Sequence, residues 1–154
     1  MICIFGGTAA YHLTPADFGD AETLPQLDTP FGPAPIFLKL NAGEVLFSSR
    51  HGADKLARSA AFVNHRANLW AAKEYGATAI LSWNGVGAIN SMLNVGDKLV
   101  PDDLIDATRA REAASFQPSG TPPLKGTFWE AGRAALVESA TPAFPRGVYV
   151  CTEG

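Results

Sequence analysis

Asn64-His-Arg-Ala-Asn-Leu-Trp-Ala-Ala-Lys-Glu-Tyr-Gly76, followed at once by Ala77-Thr-Ala-Ile-Leu-Ser-Trp83 and Asn84-Gly-Val-Gly87, is the stretch on which the fold turns. Ala67, Trp70, Ala71 and Tyr75 recur at i, i+3, i+4 and i+8, which predicts one apolar helical face, with Gly76 as its C′ stop. Trp70 and Tyr75 then read as core residues. The period changes after Gly76, and Ala77 to Trp83 reads as a buried strand ending in a glycine-bearing loop.

The same alternation extends outward from this stretch. Upstream, Ile2 to Phe5 is an apolar run that stops at Gly6-Gly7, a buried first strand entering a tight turn. Ile36 to Leu40 and Glu44 to Ser49 are strand candidates around the turn Asn41-Ala42-Gly43. Residues 13–35 carry Pro15, Pro25, Pro30, Pro33 and Pro35 and read as an irregular surface passage. Downstream, Lys98 to Val100 is a further strand candidate, and residues 117–126 read as a loop. Thr127-x-x-Glu130 has the capping-box pattern of a helix start, with Phe128, Ala131, Ala135 and Leu136 on its apolar face. Gly147 to Thr152 reads as a last strand, and Asp102, Asp103 and Asp106 as a solvated face. No internal repeat, low-complexity tract or domain boundary interrupts the chain. Strands alternating with helices imply an α/β fold with a largely parallel or mixed sheet.

Composition narrows the function classes. The 154 residues suit one domain. Twelve basic against fifteen acidic side chains leave a net charge of −3, with no basic stripe of the kind a nucleic-acid binder shows. Hydrophobic residues make up 47% and charged residues 18%, so the chain can bury a core and is not globally disordered. No apolar run approaches the ~18 residues of a membrane span, and the start reads as a strand rather than a signal peptide. Cys3 and Cys151 show no metal-ligand or redox spacing and suit reduced thiols in a cytosolic core.

Three loops follow strand candidates: Gly6-Gly7-Thr8, Arg50-His51-Gly52 and Asn84-Gly85-Val86-Gly87. Ligands of open α/β sheets bind beyond the carboxyl ends of the strands, so the three loops are candidates for one site. The first offers backbone N–H groups and a hydroxyl, which suits an anion. The second offers a guanidinium fork for phosphate oxygens, with an imidazole beside it. The third lets the backbone approach a ligand closely. Together they suggest a phosphate site with no metal or nucleotide fingerprint. Taken singly, each has a plainer reading: a glycine turn, a solvated strand-end pair, an Asn-Gly turn.

The order of motifs carries more than any one of them. Phe5-Gly-Gly-Thr8, Thr29-Pro-Phe-Gly32, Arg50-His-Gly52, Asn64-His-Arg-Ala-Asn-Leu-Trp-Ala71, Asn84-Gly-Val-Gly87, Leu104-Ile-Asp-Ala-Thr108 and Val148-Tyr-Val-Cys-Thr-Glu-Gly154 run in series. In this the chain resembles the 5′-methylthioadenosine phosphorylases of the purine nucleoside phosphorylase family, including members that cleave methylthioinosine. The resemblance covers nearly the whole chain. It implies residues 1–154 as a truncated nucleoside-phosphorylase-like domain, the N-terminal part of that fold, a mixed sheet with flanking helices. It also implies phosphorolysis, in which phosphate attacks C1′ of a purine nucleoside to give free base and a (methylthio)ribose 1-phosphate. Thr8, Arg50, His51, Asn84 and Gly85 would bind phosphate. Inorganic phosphate would be co-substrate, with no metal or organic cofactor, no nucleic-acid or membrane partner, and a cytoplasmic homo-oligomer, a trimer, as the assembly.

The family pattern is not reproduced throughout. Its Gly-Gly-Thr-Gly is here Gly6-Gly7-Thr8-Ala9, and its second histidine is replaced around Lys55, which keeps a positive charge for substrate binding. A family histidine that reaches a neighbouring subunit's substrate belongs near residues 117–126, but the histidines here are His12, His51 and His65. Family members continue past Thr-Glu-Gly into a later half that carries a ribose-binding methionine and the aspartate that protonates the purine, so the catalytic residues are left unassigned. Two other readings therefore stand beside the enzyme: a non-catalytic phosphate- or nucleoside-binding remnant that partners a full-length relative, and an interaction protein with a vestigial pocket.

Overall fold

A computed structural model describes residues 1–10, 12–52, 58–108 and 128–152. The chain groups into two compact units, the first built from residues 1–86 and the second from residues 87–108 and 128–152 of the described set. Among the described residues, no helix is long and apolar enough to cross a membrane.

In the first unit, β1 (Ile2–Gly6), β2 (Glu22–Thr23), β5 (Leu38–Leu40), β6 (Val45–Ser49) and β7 (Ala79–Trp83) form one sheet in the order β2-β5-β6-β1-β7. β6 and β7 flank β1 and both run parallel to it, while β5 is antiparallel to β6 and β2 to β5. The sheet is mixed, as expected. The turn Asn41–Gly43 is a single 3-10 turn, and Gly43 takes the positive φ that such a reversal demands. The proline-rich passage does hold short structure: a 3-10 turn at Pro15–Phe18, strand β2, and a two-residue hairpin of β3 (Asp28–Thr29) and β4 (Gly32–Pro33). Strands this short leave no apolar alternation to read. The Thr29 hydroxyl closes the hairpin by donating to the Gly32 carbonyl at 2.7 Å.

Helix α1 (His65–Glu74) starts and stops where the sequence places it. The Asn64 side chain accepts from the Ala67 N–H at 3.1 Å, satisfying one of the donors every helix start leaves open. Gly76 has φ +92°, the left-handed stop of a helix C′ residue. Its buried face is Ala67, Asn68, Ala71 and Ala72. Trp70 is 36% exposed and packs edge-on to Phe31 rather than in the core, which corrects the expectation for it. The small side chains are what let α1 approach a core of Cys3, Phe5, Ala34, Phe37 and Leu46, while the Tyr75 ring packs at a tilt against Phe37 from the helix end. Phe37 and Leu46 are fully buried, worth about 1.5–3 kcal/mol each. Burial also pushes the Cys3 thiol up to about 12, so it is an inert core side chain.

β7 is present but not buried. Among the described residues it forms the sheet's edge, and Ile80 and Trp83 are 48% and 51% exposed. An apolar run shows that a segment suits a strand, not which position in the sheet it takes.

The second unit holds the parallel pair β8 (Asp103–Asp106) and β9 (Val148–Cys151), together with α2 (Glu130–Ser139). β9 matches the expected last strand. Asp102, Asp103 and Asp106 are exposed, as a solvated face requires, and Asp103 to Asp106 also pairs as a strand. Lys98 to Val100 contributes a bridge between Leu99 and Phe144 rather than a strand. α2 opens at Glu130 with Trp129 as its N-cap, not at a Thr127 box; Thr127 lies outside the described residues. Its half-buried side is Gly132, Arg133, Leu136 and Val137, rotated from the face expected through Ala131 and Ala135. Arg133 lies on that side, and its guanidinium donates to the carbonyls of Pro101 and Pro145, each at 2.7 Å.

Candidate functional site

The parallel register decides where the three loops meet. Gly6 pairs with Ser49 on one side and with Trp83 on the other, so Gly7, Arg50 and Asn84 each stand one residue past the same rung. Main-chain bonds extend the alignment: the Gly7 N–H donates to the Trp83 carbonyl at 2.8 Å and the Arg50 N–H to the Gly6 carbonyl at 3.1 Å. The carboxyl ends of three adjacent parallel strands thus present their loops at one edge, where α/β sheets bind ligands.

Arg50 is the centre of that edge. Its Nη1 donates to the Asn84 Oδ1, and its Nε donates to the His51 Nε2 at 3.0 Å. The His51 Nδ1 lies 3.0 Å from the Arg58 carbonyl, which can only accept, so the ring proton sits on Nδ1 and Nε2 is the acceptor that Arg50 requires. His51 is 2% exposed. Its burial holds the imidazole below its ordinary value of 6.5; the Arg58 carbonyl opposes this and the Arg50 charge adds to it. A neutral ring beside a guanidinium is the arrangement that leaves one net positive charge at this edge. Gly52, at φ +101°, lets the chain reverse directly after the pair, and its N–H returns to the Ser49 carbonyl at 3.2 Å.

Gly7 leaves the space this cluster occupies. A Cβ there would meet Asn84 Oδ1 at 2.8 Å and Arg50 Nη2 at 3.2 Å. Asn84 is also held from its other side, its Nδ2 donating to the Ser82 hydroxyl at 3.2 Å. Thr8 is exposed and opens the 3-10 turn Thr8–Ala10. Gly85 is exposed directly after Asn84. Of the residues expected here, Arg50, His51 and Asn84 are in hydrogen-bond contact, Gly85 directly follows Asn84, and Thr8 directly follows Gly7. Lys55 lies outside the described residues. One first-loop donor is already spent, since the Gly7 N–H serves Trp83 and not a ligand.

One participant escaped the sequence reading. Asn68 lies on the buried face of α1, and its Nδ2 donates to the main-chain carbonyl of Arg50 at 3.2 Å. The available signal was a polar residue in a helical stripe otherwise made of alanines.

Residues 2–154 match the Phosphorylase superfamily. A probable S-methyl-5′-thioinosine phosphorylase from Methanothermobacter thermautotrophicus is 39% identical over all of this chain and 55% of its own length. A 6-oxopurine nucleoside phosphorylase from Pyrococcus furiosus is 32% identical over 99% of this chain and 61% of its own. Methylthioadenosine phosphorylase from Schistosoma mansoni, solved with tubercidin, superposes with a TM-score of 0.85 at 25% identity, covering 99% of this chain and 63% of that one. The chain therefore spans between about half and two thirds of the length of the relatives it matches. Its mixed α/β architecture is that of these phosphorylases, and the chain belongs to the phosphorylase superfamily.

Proposed function

We propose that this chain provides the phosphate site for phosphorolysis of a purine nucleoside such as 5′-methylthioadenosine, a pentosyl transfer giving free base and (methylthio)ribose 1-phosphate. The observation that carries the reading is the Arg50 guanidinium, held by Asn84 and His51 at the common end of three parallel strands. A phosphate oxygen attacks C1′ as the glycosidic bond breaks and its electron pair leaves with the base. Positive charge grows on the sugar, so the anion must be fixed in line before the bond opens, and a pre-aimed guanidinium does that without reorganising. Thr8, Arg50, His51, Asn84 and Gly85 make up the phosphate site in this reading, and Lys55 adds positive charge for the substrate. Inorganic phosphate is the co-substrate, and neither metal nor organic cofactor takes part. The assembly is a cytoplasmic trimer. The names of the relatives, which span thioinosine, thioadenosine and 6-oxopurine nucleosides, support the purine nucleoside class.

The test is phosphate-dependent release of free base from methylthioadenosine, methylthioinosine and inosine by the purified chain, alongside calorimetric titration with inorganic phosphate. Arg50→Ala is expected to weaken phosphate binding by about tenfold or more, the scale of a charged hydrogen bond. Binding without turnover on any of the three supports the non-catalytic phosphate-binding reading. Absence of phosphate binding by the folded chain refutes both.

A further inference from the structure

We propose that Asn68 is a positioning residue for the Arg50 phosphate anchor, an inference that rests on the phosphate-site reading above. Asparagine is a weak helix former, and a buried amide is unfavourable unless its hydrogen bonds are made. Asn68 nevertheless stands inside α1, 5% exposed, among Ala67, Ala71 and Ala72. Its Nδ2 spends its donor on the Arg50 carbonyl, 18 residues earlier in the chain.

That carbonyl belongs to the peptide plane joining Arg50 to His51. Holding it sets the direction in which both side chains leave the backbone. The plane before Arg50 is already fixed, because the Arg50 N–H donates to Gly6 of β1. Arg50 is thus tied to the sheet through its N–H and to α1 through its carbonyl, with its guanidinium tied to Asn84 and His51. The chain reverses within two residues at Gly52, so Asn68 holds the Arg50–His51 plane at the start of a turn, just past the end of β6. Asn68 is buried and acts through Arg50.

The experiment is calorimetric titration of the full chain with inorganic phosphate for Asn68→Leu, Arg50→Lys and the double variant. Leucine keeps the amide's branched shape and heavy-atom count and leaves the carbonyl unpaired. Asn68→Leu is expected to weaken phosphate binding by about 5- to 10-fold, the scale of one buried hydrogen bond. If Asn68 acts through Arg50, the same substitution in the Arg50→Lys background costs less than about twofold, because the guanidinium geometry it protects is already gone. Equal losses in both backgrounds, or an unchanged affinity for Asn68→Leu, overturn the inference. Asn68→Ser, too short to reach the carbonyl, carries the same expectation if the leucine variant does not fold. A parent chain that binds no phosphate fails the site reading itself. An Arg50→Lys loss with unaffected Asn68 variants fails this inference alone.

Discussion

Replacing Gly7 by alanine adds one methyl group at a position the structure defines closely. Gly7 lies outside the left-handed region, so alanine meets no backbone strain and any effect comes from space. The new Cβ would stand 2.8 Å from Asn84 Oδ1, 3.2 Å from Arg50 Nη2 and 3.3 Å from the Trp83 carbonyl. Reaching an ordinary contact of 3.4 Å requires the Asn84 amide to retreat by about 0.6 Å. A lone side-chain terminus would do so at little cost, but this one is held by Arg50 on one atom and Ser82 on the other. The Trp83 carbonyl is backbone, bonded to the Gly7 N–H itself, and cannot give way without disturbing the β1–β7 edge. The Arg50–Asn84 bond is therefore what yields. A hydrogen bond to a charged group is worth about 1.5–3 kcal/mol, and partial solvent access at Asn84 reduces that to roughly 1–2 kcal/mol. Phosphate affinity should fall by about 5- to 30-fold.

Gly6→Ala is the matched control. There a Cβ would stand 2.5 Å from the Ala10 Cβ and 3.2 Å from the Phe47 ring, both in the core, so overpacking should cost about 1–3 kcal/mol of stability. Phosphate titration by calorimetry, paired with thermal melting, separates the two: Gly7→Ala moves affinity more than stability, and Gly6→Ala the reverse. A Gly7→Ala chain that binds phosphate within twofold of the parent refutes the reasoning.

Two further predictions concern stability. Because burial depresses the His51 pKa, the unfolded chain takes up the proton first as pH falls, so stability present above 6.5 is lost progressively below it. His51→Gln should flatten the melting-temperature profile between about pH 7 and 5, and parallel profiles for the two proteins would refute the assignment of a neutral ring. Phe37 is fully buried and packs edge-on to Phe5 and at a tilt against Tyr75, so Phe37→Ala should cost about 3–5 kcal/mol in denaturant unfolding; a loss under about 1 kcal/mol would place the core elsewhere.

Local chemistry was legible in the sequence wherever it is decided within a few residues. The first strand ending at Gly6-Gly7, the helix from Asn64 to its stop at Gly76, and the turn at residues 41–43 all rest on backbone and side-chain preferences acting at short range. The identity of the anion loops was legible too, because a guanidinium after one strand and glycines after two others carry their chemistry in the residue type. Position in the sheet was not. β7 reads as buried and stands at an edge, Trp70 reads as core and is half-exposed, and Asp103–Asp106, exposed as expected, also pairs with β9, since neighbours distant in sequence decide burial and pairing. The roles of Gly7 and Asn68 were hidden for the same reason: each depends on an atom of Arg50, which reaches them only after β1 and β6 pair in one register and α1 packs on the sheet. The sequence by itself determined the first strand, helix α1 and which loops carry charge, while the parallel register of β6, β1 and β7 alone decided that Gly7, Arg50 and Asn84 meet, because hydrogen-bonded strands align residues that the chain keeps more than thirty positions apart.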